Sequence, residues 1–291
     1  MSGQLYLLPC PISEAPALDA LPASTVETAR RIDHFLVEAA RTARATLKAM
    51  GHPKPIAELD IVEIGHDPAP ELISEWLQPV LDGADAAVLS ESGCPGVADP
   101  GAQIAARAHE LGIRVVPLTG PSSILLTLMA SGLDGQRFRF SGYLPKHDAE
   151  RRAAILAAEK ASRASETQLF IETPYRNTAL LDALLETLAP DTRLTVAIDV
   201  TGQNESIRTL TAAAWKAIPK AMRTLPKLPT VFAFLAKPGN RAPRYAPECA
   251  GGKRAHTALS SKPAVLNNRP KQAYKTHRPE GSPVKTLKGG R

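Results

Sequence analysis

A short apolar run over residues 84–89 carries one charge and feeds directly into Ser90-Glu91-Ser92-Gly93-Cys94-Pro95-Gly96-Val97-Ala98-Asp99-Pro100-Gly101. The run reads as a strand covered on both faces. Gly93, Gly96 and Gly101 permit positive φ and leave the backbone bare, while Pro95 and Pro100 fix the turns. An Ala-rich helical pattern follows over 101–111 and stops at Gly112. A strand, a doubly punctuated loop and a helix in that order belong to an α/β sheet. A loop at the C-terminal end of such a strand is where open α/β sheets bind ligands.

The same alternation continues on both sides. Strands are predicted over 4–8, 59–64, 84–89, 113–118, 168–172, 193–200 and 230–236. Helices are predicted over 25–50, 68–81, 101–111, 124–130, 148–164, 177–188 and 211–217. In the helix over 25–50, Ala29, Ile32, Leu36, Ala39, Ala43 and Leu47 share one face. Residues 138–143 open a segment of different character, and 201–208 reads as a polar turn. Short links between strand and helix imply parallel pairing with helices on both faces. A boundary near 118–122 divides the body into 1–119 and 120–237.

Charge separates a third segment. From Pro238 onward there are 12 Lys+Arg against 2 Asp+Glu and seven prolines, whereas residues 1–237 hold 23 against 27. The segment 238–291 therefore reads as a basic, proline-rich, disordered tail. Either it contacts RNA through phosphate neutralisation or it is a solvated extension with no dedicated role. No run approaches the roughly 18 apolar residues of a membrane helix, and the start lacks the pattern of a secretory signal. Cys10, Cys94 and Cys249 are scattered and odd in number. They show no metal spacing and suit a reducing cytoplasm.

Three loops share one layout, each following a strand and joining Pro to small residues: Pro9-Cys10-Pro11, Ser92-Gly93-Cys94-Pro95 and Gly120-Pro121-Ser122-Ser123. Bare N–H groups and small hydroxyls grip a nucleoside-bearing ligand without obstruction. Neither a phosphate-binding GxxxxGK[ST] loop nor a GxGxxG fingerprint is present, so a ligand without a phosphate chain is favoured.

The run 90–101 resembles the S-D-A-G-T-P-x-I-S-D-P-G loop of the tetrapyrrole methylase superfamily. Further segments look like its 16S ribosomal RNA cytidine 2′-O-methyltransferase branch. Gly112-Ile113-Arg114-Val115-Val116-Pro117-Leu118-Thr119-Gly120-Pro121 resembles G-I-x-V-V-P-L-P-G-P, and Gly142-Tyr143-Leu144-Pro145 resembles G-F-L-P. Gly3-Gln4-Leu5-Tyr6-Leu7-Leu8-Pro9-Cys10-Pro11-Ile12 resembles G-x-L-Y-I-V-P-T-P-I. The likeness extends from residue 3 to about 236.

The resemblance implies a tetrapyrrole methylase fold of two α/β domains, with S-adenosylmethionine in the interdomain cleft, and commonly a homodimer. It assigns cofactor contacts to Ser92, Gly93, Cys94, Pro95, Val97, Ser122, Ser123, Ile171, Glu172, Thr173 and Pro174, with Pro9 and Ile12 in the wall. It also implies methylation of ribosomal RNA, within the small subunit, at a ribose 2′-hydroxyl. Departures fall on the acceptor side. P-I-G-N-L becomes Pro11-Ile12-Ser13-Glu14-Ala15, E-D-T-R loosens around Glu38 and Arg41, and A-R-E-L-T-K becomes Ala197-Ile198-Asp199-Val200-Thr201-Gly202. A tetrapyrrole or other small-molecule acceptor, or a non-catalytic cofactor-binding relative, are the rival readings.

Individual residues carry paired readings. Glu38 and Arg41, three apart on the predicted helix, are either a catalytic acid/base pair for a ribose hydroxyl or a surface ion pair. Asp99 either acts on substrate or caps the following helix, with the cap preferred. Cys94 reads as a packing residue, and the histidines show no ligand spacing.

Overall fold

The computed structural model describes residues 2–14 and 16–238; the basic tail, apart from Pro238, lies outside them. Strands β1 (Gln4–Leu8), β2 (His34–Val37), β3 (Asp60–Glu63), β4 (Ala86–Leu89) and β5 (Arg114–Pro117) form one sheet in the order β3-β2-β4-β1-β5. All its pairs are parallel. Alternate residues of each strand enter opposite cores. Phe35, Val37, Ala87 and Leu89 meet one cluster with Val26 and Leu47. Leu36, Ala86 and Val88 meet the other, with Ile73, Leu77 and Ile104.

The helix expected over 25–50 is not one helix. After a short α1 (Ala17–Ala20), α2 (Ala23–Ala29) ends, β2 follows, and α3 (Ala40–Ala49) begins. A helix confines its apolar residues to one stripe. The run His34-Phe35-Leu36-Val37 is buried throughout and serves both cores, which only a strand between β3 and β4 allows. The residues at helical spacing, Ala29, Ile32, Leu36, Ala39, Ala43 and Leu47, are spread over α2, β2, α3 and the links between them.

The stretch 68–81 likewise splits into α4 (Ile73–Trp76) and α5 (Gln78–Leu81). Pro79 sits in the first turn of α5, where its missing N–H is tolerated, but it cannot continue a helix from before. Next come α6 (Ala102–Glu110) and α7 (Ser123–Ser131). Ser122 caps α7, its hydroxyl accepting from Leu125 N.

The second sheet holds β6 (Phe138–Tyr143), β7 (Thr167–Glu172), β8 (Arg193–Ile198), β9 (Ser206–Thr211) and β10 (Thr230–Leu235), ordered β6-β7-β10-β8-β9. Here only β6 and β7 run parallel; the other pairs are antiparallel. The polar turn expected at 201–208 gives way to β9 from Ser206. Exposed Ser206 and the half-buried Ile207 mark a sheet edge rather than a loop. Helices α8 (Asp148–Ser162), α9 (Asn177–Thr187) and α10 (Ala212–Ala217) join Phe170, Val196, Phe232 and Phe234 in the core on one face. Ile124 and Leu128 of α7 join Leu169, Ala197, Val231 and Ala233 on the other.

Trp215 of α10 is buried, and its Nε1 donates to Leu194 O at 2.9 Å. Trp215→Phe leaves that carbonyl without the donor and is expected to cost about 1–3 kcal/mol, read as a lower urea midpoint with an unchanged slope.

Residues 2–238 belong to one compact unit. The chain crosses from the first sheet to the second through Leu118-Thr119-Gly120-Pro121. Leu118 N donates to Leu7 O at 3.0 Å, and Thr25 Oγ1 donates to Thr119 O at 2.8 Å. No described helix is long and apolar enough to cross a membrane.

Candidate functional site

The C-terminal ends of β1 and β4, the crossing segment and the C-terminal ends of β7 and β8 surround a cleft of about 320 Å³. Its floor on the first-sheet side is the loop after β4. Cys10 and Gly93 tie this loop to the end of β1 by two backbone bonds, Cys10 N to Gly93 O at 2.8 Å and Gly93 N to Cys10 O at 3.2 Å. Gly93 holds φ 71°, and a Cβ there would contact Ile12 Cγ2 at 3.4 Å. The position suits a residue without a side chain, which leaves backbone open toward the cleft.

Eleven of the thirteen cofactor positions inferred from sequence line this cleft: Ile12, Ser92, Gly93, Cys94, Val97, Ser122, Ser123, Ile171, Glu172, Thr173 and Pro174. Two do not. The ring of Pro9 backs onto Gly120, and Pro95 is buried within its own loop, against Gly101. Both shape the wall from behind. The sequence reading missed Ala98, Ile124, Tyr143, Val200, Pro229, Thr230 and Val231, which also line it, as does Asp99, which it weighed as a cap or a substrate-side residue.

Asp99 is not a helix cap. Gly101 occupies the cap position of α6, with no side-chain hydrogen bond. Ala98 precedes Asp99 in the left-handed region at φ 66°, a conformation that costs a non-glycine residue roughly 1–2 kcal/mol. The turn is closed by Gly96 N donating to Pro100 O at 3.0 Å. This strained turn presents Asp99 to the cleft. Burial, then the neighbouring Glu38 carboxylate, raises its pKa to about 6, against weaker opposing effects of His66 and a Ser90 hydrogen bond.

Glu38 and Arg41 do not form the helix-face pair that their spacing suggested. Glu38 lies between β2 and α3, and Arg41 is in the first turn of α3. Glu38 Oε2 accepts from Glu91 N at 3.0 Å and Oε1 meets His66 Nδ1 at 3.1 Å. Its side chain is only 11% exposed, so it is a built element at the C-terminal end of β2, beside Asp99. Hydrogen bonding to Glu38 raises the His66 pKa. Arg41 is exposed and makes no ion pair with Glu38.

On the second-sheet side, Glu172 ends β7 with its side chain 1% exposed. Oε1 accepts from Thr173 N at 2.7 Å and Thr173 Oγ1 at 3.2 Å. Oε2 lies 3.3 Å from Arg176 Nη2 but has no hydrogen-bond partner in the described chain. Cys94 Sγ donates to Pro121 O at 3.5 Å and burial raises its pKa, as a packing thiol requires. Cys10 is buried and its thiol is pushed up to about 12 by burial, with smaller effects of Asp99, Glu38 and Cys94. Neither cysteine is an activated nucleophile.

Apolar walls (Ile12, Val97, Ile171), a bare backbone edge, several hydroxyls and two carboxylates give the cleft both apolar and hydrogen-bonding surface.

Residues 17–215 match the sequence model of the Tetrapyrrole (Corrin/Porphyrin) Methylases. The chain is 33% identical over 210 residues to Ribosomal RNA small subunit methyltransferase I of Mesorhizobium japonicum, covering 72% of this chain and 68% of that protein. It is 29% identical over 201 residues to the protein of the same name from Neisseria meningitidis serogroup B, covering 69% of this chain but only 65% of that relative. In structure it is similar to a diphthine synthase, with a TM-score of 0.57 at 17% identity over 80% of this chain and 90% of the other. That likeness carries the fold. The motifs, the two sheets around one cleft and the match over more than half of its length place one conclusion beyond the fold: the chain belongs to the tetrapyrrole methylase family.

Proposed function

We propose that this protein is an S-adenosylmethionine-dependent methyltransferase that modifies small-subunit ribosomal RNA at a ribose 2′-hydroxyl. The observation that carries the reading is the cleft itself, where eleven inferred cofactor positions from four separated segments converge. The relatives named as ribosomal RNA methyltransferases supply the acceptor class.

The residues present fit such a cofactor. Glu172 Oε2 is buried and, although Arg176 Nη2 lies 3.3 Å away, makes no hydrogen bond, so it is open to a donor on the cofactor. Gly93 offers backbone, Ser92, Ser122, Ser123 and Thr173 offer hydroxyls, and Ile12, Val97 and Ile171 offer apolar walls. When bound, the cofactor supplies an electrophilic methyl group on a sulfonium. The chain supplies alignment, which accounts for much of the acceleration in transfers of this kind.

The acceptor hydroxyl loses its proton as its oxygen forms the new bond, and the Asp99 carboxylate is the base that receives it. Glu38 is a positioning residue in this scheme, holding the β2 and β4 ends together through Glu91 N. Arg41, exposed at the start of α3, is a candidate contact for RNA phosphate rather than a member of the reacting centre.

The protein acts in the cytoplasm, where its thiols stay reduced, and as a homodimer. Leu125 and Met129, 50% and 78% exposed and four apart on α7, are apolar surface that a second copy would cover.

Methyl-labelled S-adenosylmethionine incubated with the protein and undermethylated small ribosomal subunits tests the reading. Label should enter a ribose 2′-oxygen of the RNA. Label recovered in a tetrapyrrole fraction, or cofactor binding by calorimetry without transfer to any RNA, would refute it.

A further inference from the structure

At the mouth of the cleft stands an aromatic side chain that the fold leaves almost bare. Tyr175 is 80% exposed and follows Pro174, a cleft-lining residue. Lys227 Nζ lies 5.1 Å from the centroid of its ring, and Lys227 is two residues before Pro229, another cleft-lining residue. Two loops from distant parts of the chain thus meet at one rim.

The meeting is built. Leu225 N donates to Thr178 Oγ1 at 3.0 Å, and Asn177 Nδ2 donates to Leu228 O at 2.8 Å and to Thr230 Oγ1 at 2.9 Å. These bonds pin the Lys227 loop to the start of α9. Arg176 N donates to Thr173 O at 2.9 Å, closing the turn that carries Tyr175. Arg176 itself leans toward Glu172, with a third of its side chain still exposed. A second aromatic, Tyr143, is 59% exposed and lines the same cleft.

A large ring left in water does nothing for the core, and a lysine over it covers little of its surface. Aromatic faces flanked by cations are what single-stranded nucleic acids use: the ring stacks a base and the cations meet the backbone. Charge supports this side of the molecule. Residues 120–237 hold 15 Lys+Arg against 11 Asp+Glu, whereas residues 1–119 hold 8 against 16.

We infer that Tyr175, Lys227 and Arg176 form a docking platform for an unpaired ribonucleotide next to the one methylated, Tyr175 stacking its base and the two cations holding its phosphates. The acceptor RNA is therefore taken as a single strand, not as a duplex. This rests on the RNA methyltransferase reading and extends it to how the acceptor is held.

The test uses the full chain with three variants, Tyr175→Ala, Tyr175→Phe and Lys227→Gln. Affinity for a single-stranded small-subunit RNA fragment is measured by fluorescence anisotropy, S-adenosylmethionine affinity by calorimetry, and methyl transfer as separate KM and kcat. Tyr175→Ala should weaken RNA binding between roughly fivefold and a hundredfold, mainly in KM, with cofactor affinity unchanged. Tyr175→Phe should retain wild-type affinity, because stacking needs the ring and not the hydroxyl. Lys227→Gln should lower the salt dependence of binding by about one counterion.

RNA affinity unmoved in Tyr175→Ala and Lys227→Gln, with wild-type RNA methylation intact, overturns the platform and leaves the methyltransferase reading standing. Tighter binding to a duplex than to the matching single strand overturns the single-strand assignment. A wild-type protein that binds cofactor but neither binds nor methylates RNA overturns both. So does methyl transfer to a tetrapyrrole that depends on Tyr175.

Discussion

Asp99→Asn is expected to slow methyl transfer roughly 10²–10⁴-fold, the usual contribution of a positioned general base. The amide keeps the shape of the side chain but cannot accept the proton. The effect should fall on kcat, with cofactor affinity held within a few-fold, since the loop 92–95 and the second-sheet wall are untouched. The wild-type pH profile gives a second readout. Asp99 titrates at about 6, raised first by burial and then by Glu38. The reactive carboxylate is therefore present above that value, and the rate should drop about tenfold per unit below it.

Other groups near this carboxylate are Glu38, His66, Glu91, Cys10 and Cys94. His66 and Cys10 titrate on the alkaline side of their ordinary values. In Asp99→Asn the acid limb near pH 6 should disappear. Stability moves the opposite way. A carboxyl whose pKa is higher folded than unfolded binds more protons in the native state between the two values, so stability declines as pH rises through that window. The wild type accordingly carries a destabilising charge at pH 7, and Asp99→Asn should melt at a slightly higher temperature while being nearly inactive. A variant with full activity at pH 7.5, or an acid limb that survives the substitution, would remove Asp99 from the role of base.

How much of this was legible beforehand depended on what each residue signals locally. The β4 loop was legible because glycine and proline announce their backbone conformations: Gly93, Gly96 and Gly101 all hold positive φ. Strand β2 was not, since His34-Phe35-Leu36-Val37 is short, apolar and flanked by alanines at helical spacing. Only its burial on both faces reveals a strand. That error placed Glu38 on a helix face, whereas it stands at the C-terminal end of β2. It also hid the meeting of Glu38, His66 and Asp99, which come from three different connections.

Thr230 and Val231 were missed for another reason. Strand β10 runs antiparallel to β7 and β8, with Thr230 opposite both Glu172 and Ile198. Its N-terminal end therefore lies beside their C-terminal ends. A rule that looks for ligands at C-terminal strand ends overlooks it, and nothing within 230–236 signals direction. Asp99 was misread because an acidic residue before Pro-Gly and a helix matches a cap in sequence. The positive φ of Ala98 turns it toward the cleft instead.

Gly120→Ala tests the other half of the site, the crossing between the sheets. A Cβ at this position would stand 2.3 Å from Pro9 Cγ, 2.4 Å from Pro9 Cβ and 3.3 Å from Leu21 Cδ2. The pyrrolidine ring cannot swing aside as a flexible side chain would. Pro9 is also fixed from both directions, by Leu118 N on Leu7 O and by the two bonds between Cys10 and Gly93. The crossing segment must then move, at about 1–3 kcal/mol for overpacking of this kind. Pro121, Ser122 and Ser123 follow at once, so the displacement is delivered to the cleft wall and to the Ser122 cap of α7. Melting should fall by several degrees, and S-adenosylmethionine affinity should fall at least tenfold by calorimetry. Gly135→Ala is the control, because a Cβ there meets nothing within 4 Å, and it should change neither quantity. If Gly120→Ala melts and binds like the wild type, the crossing yields without cost and its close approach to Pro9 does not shape the site.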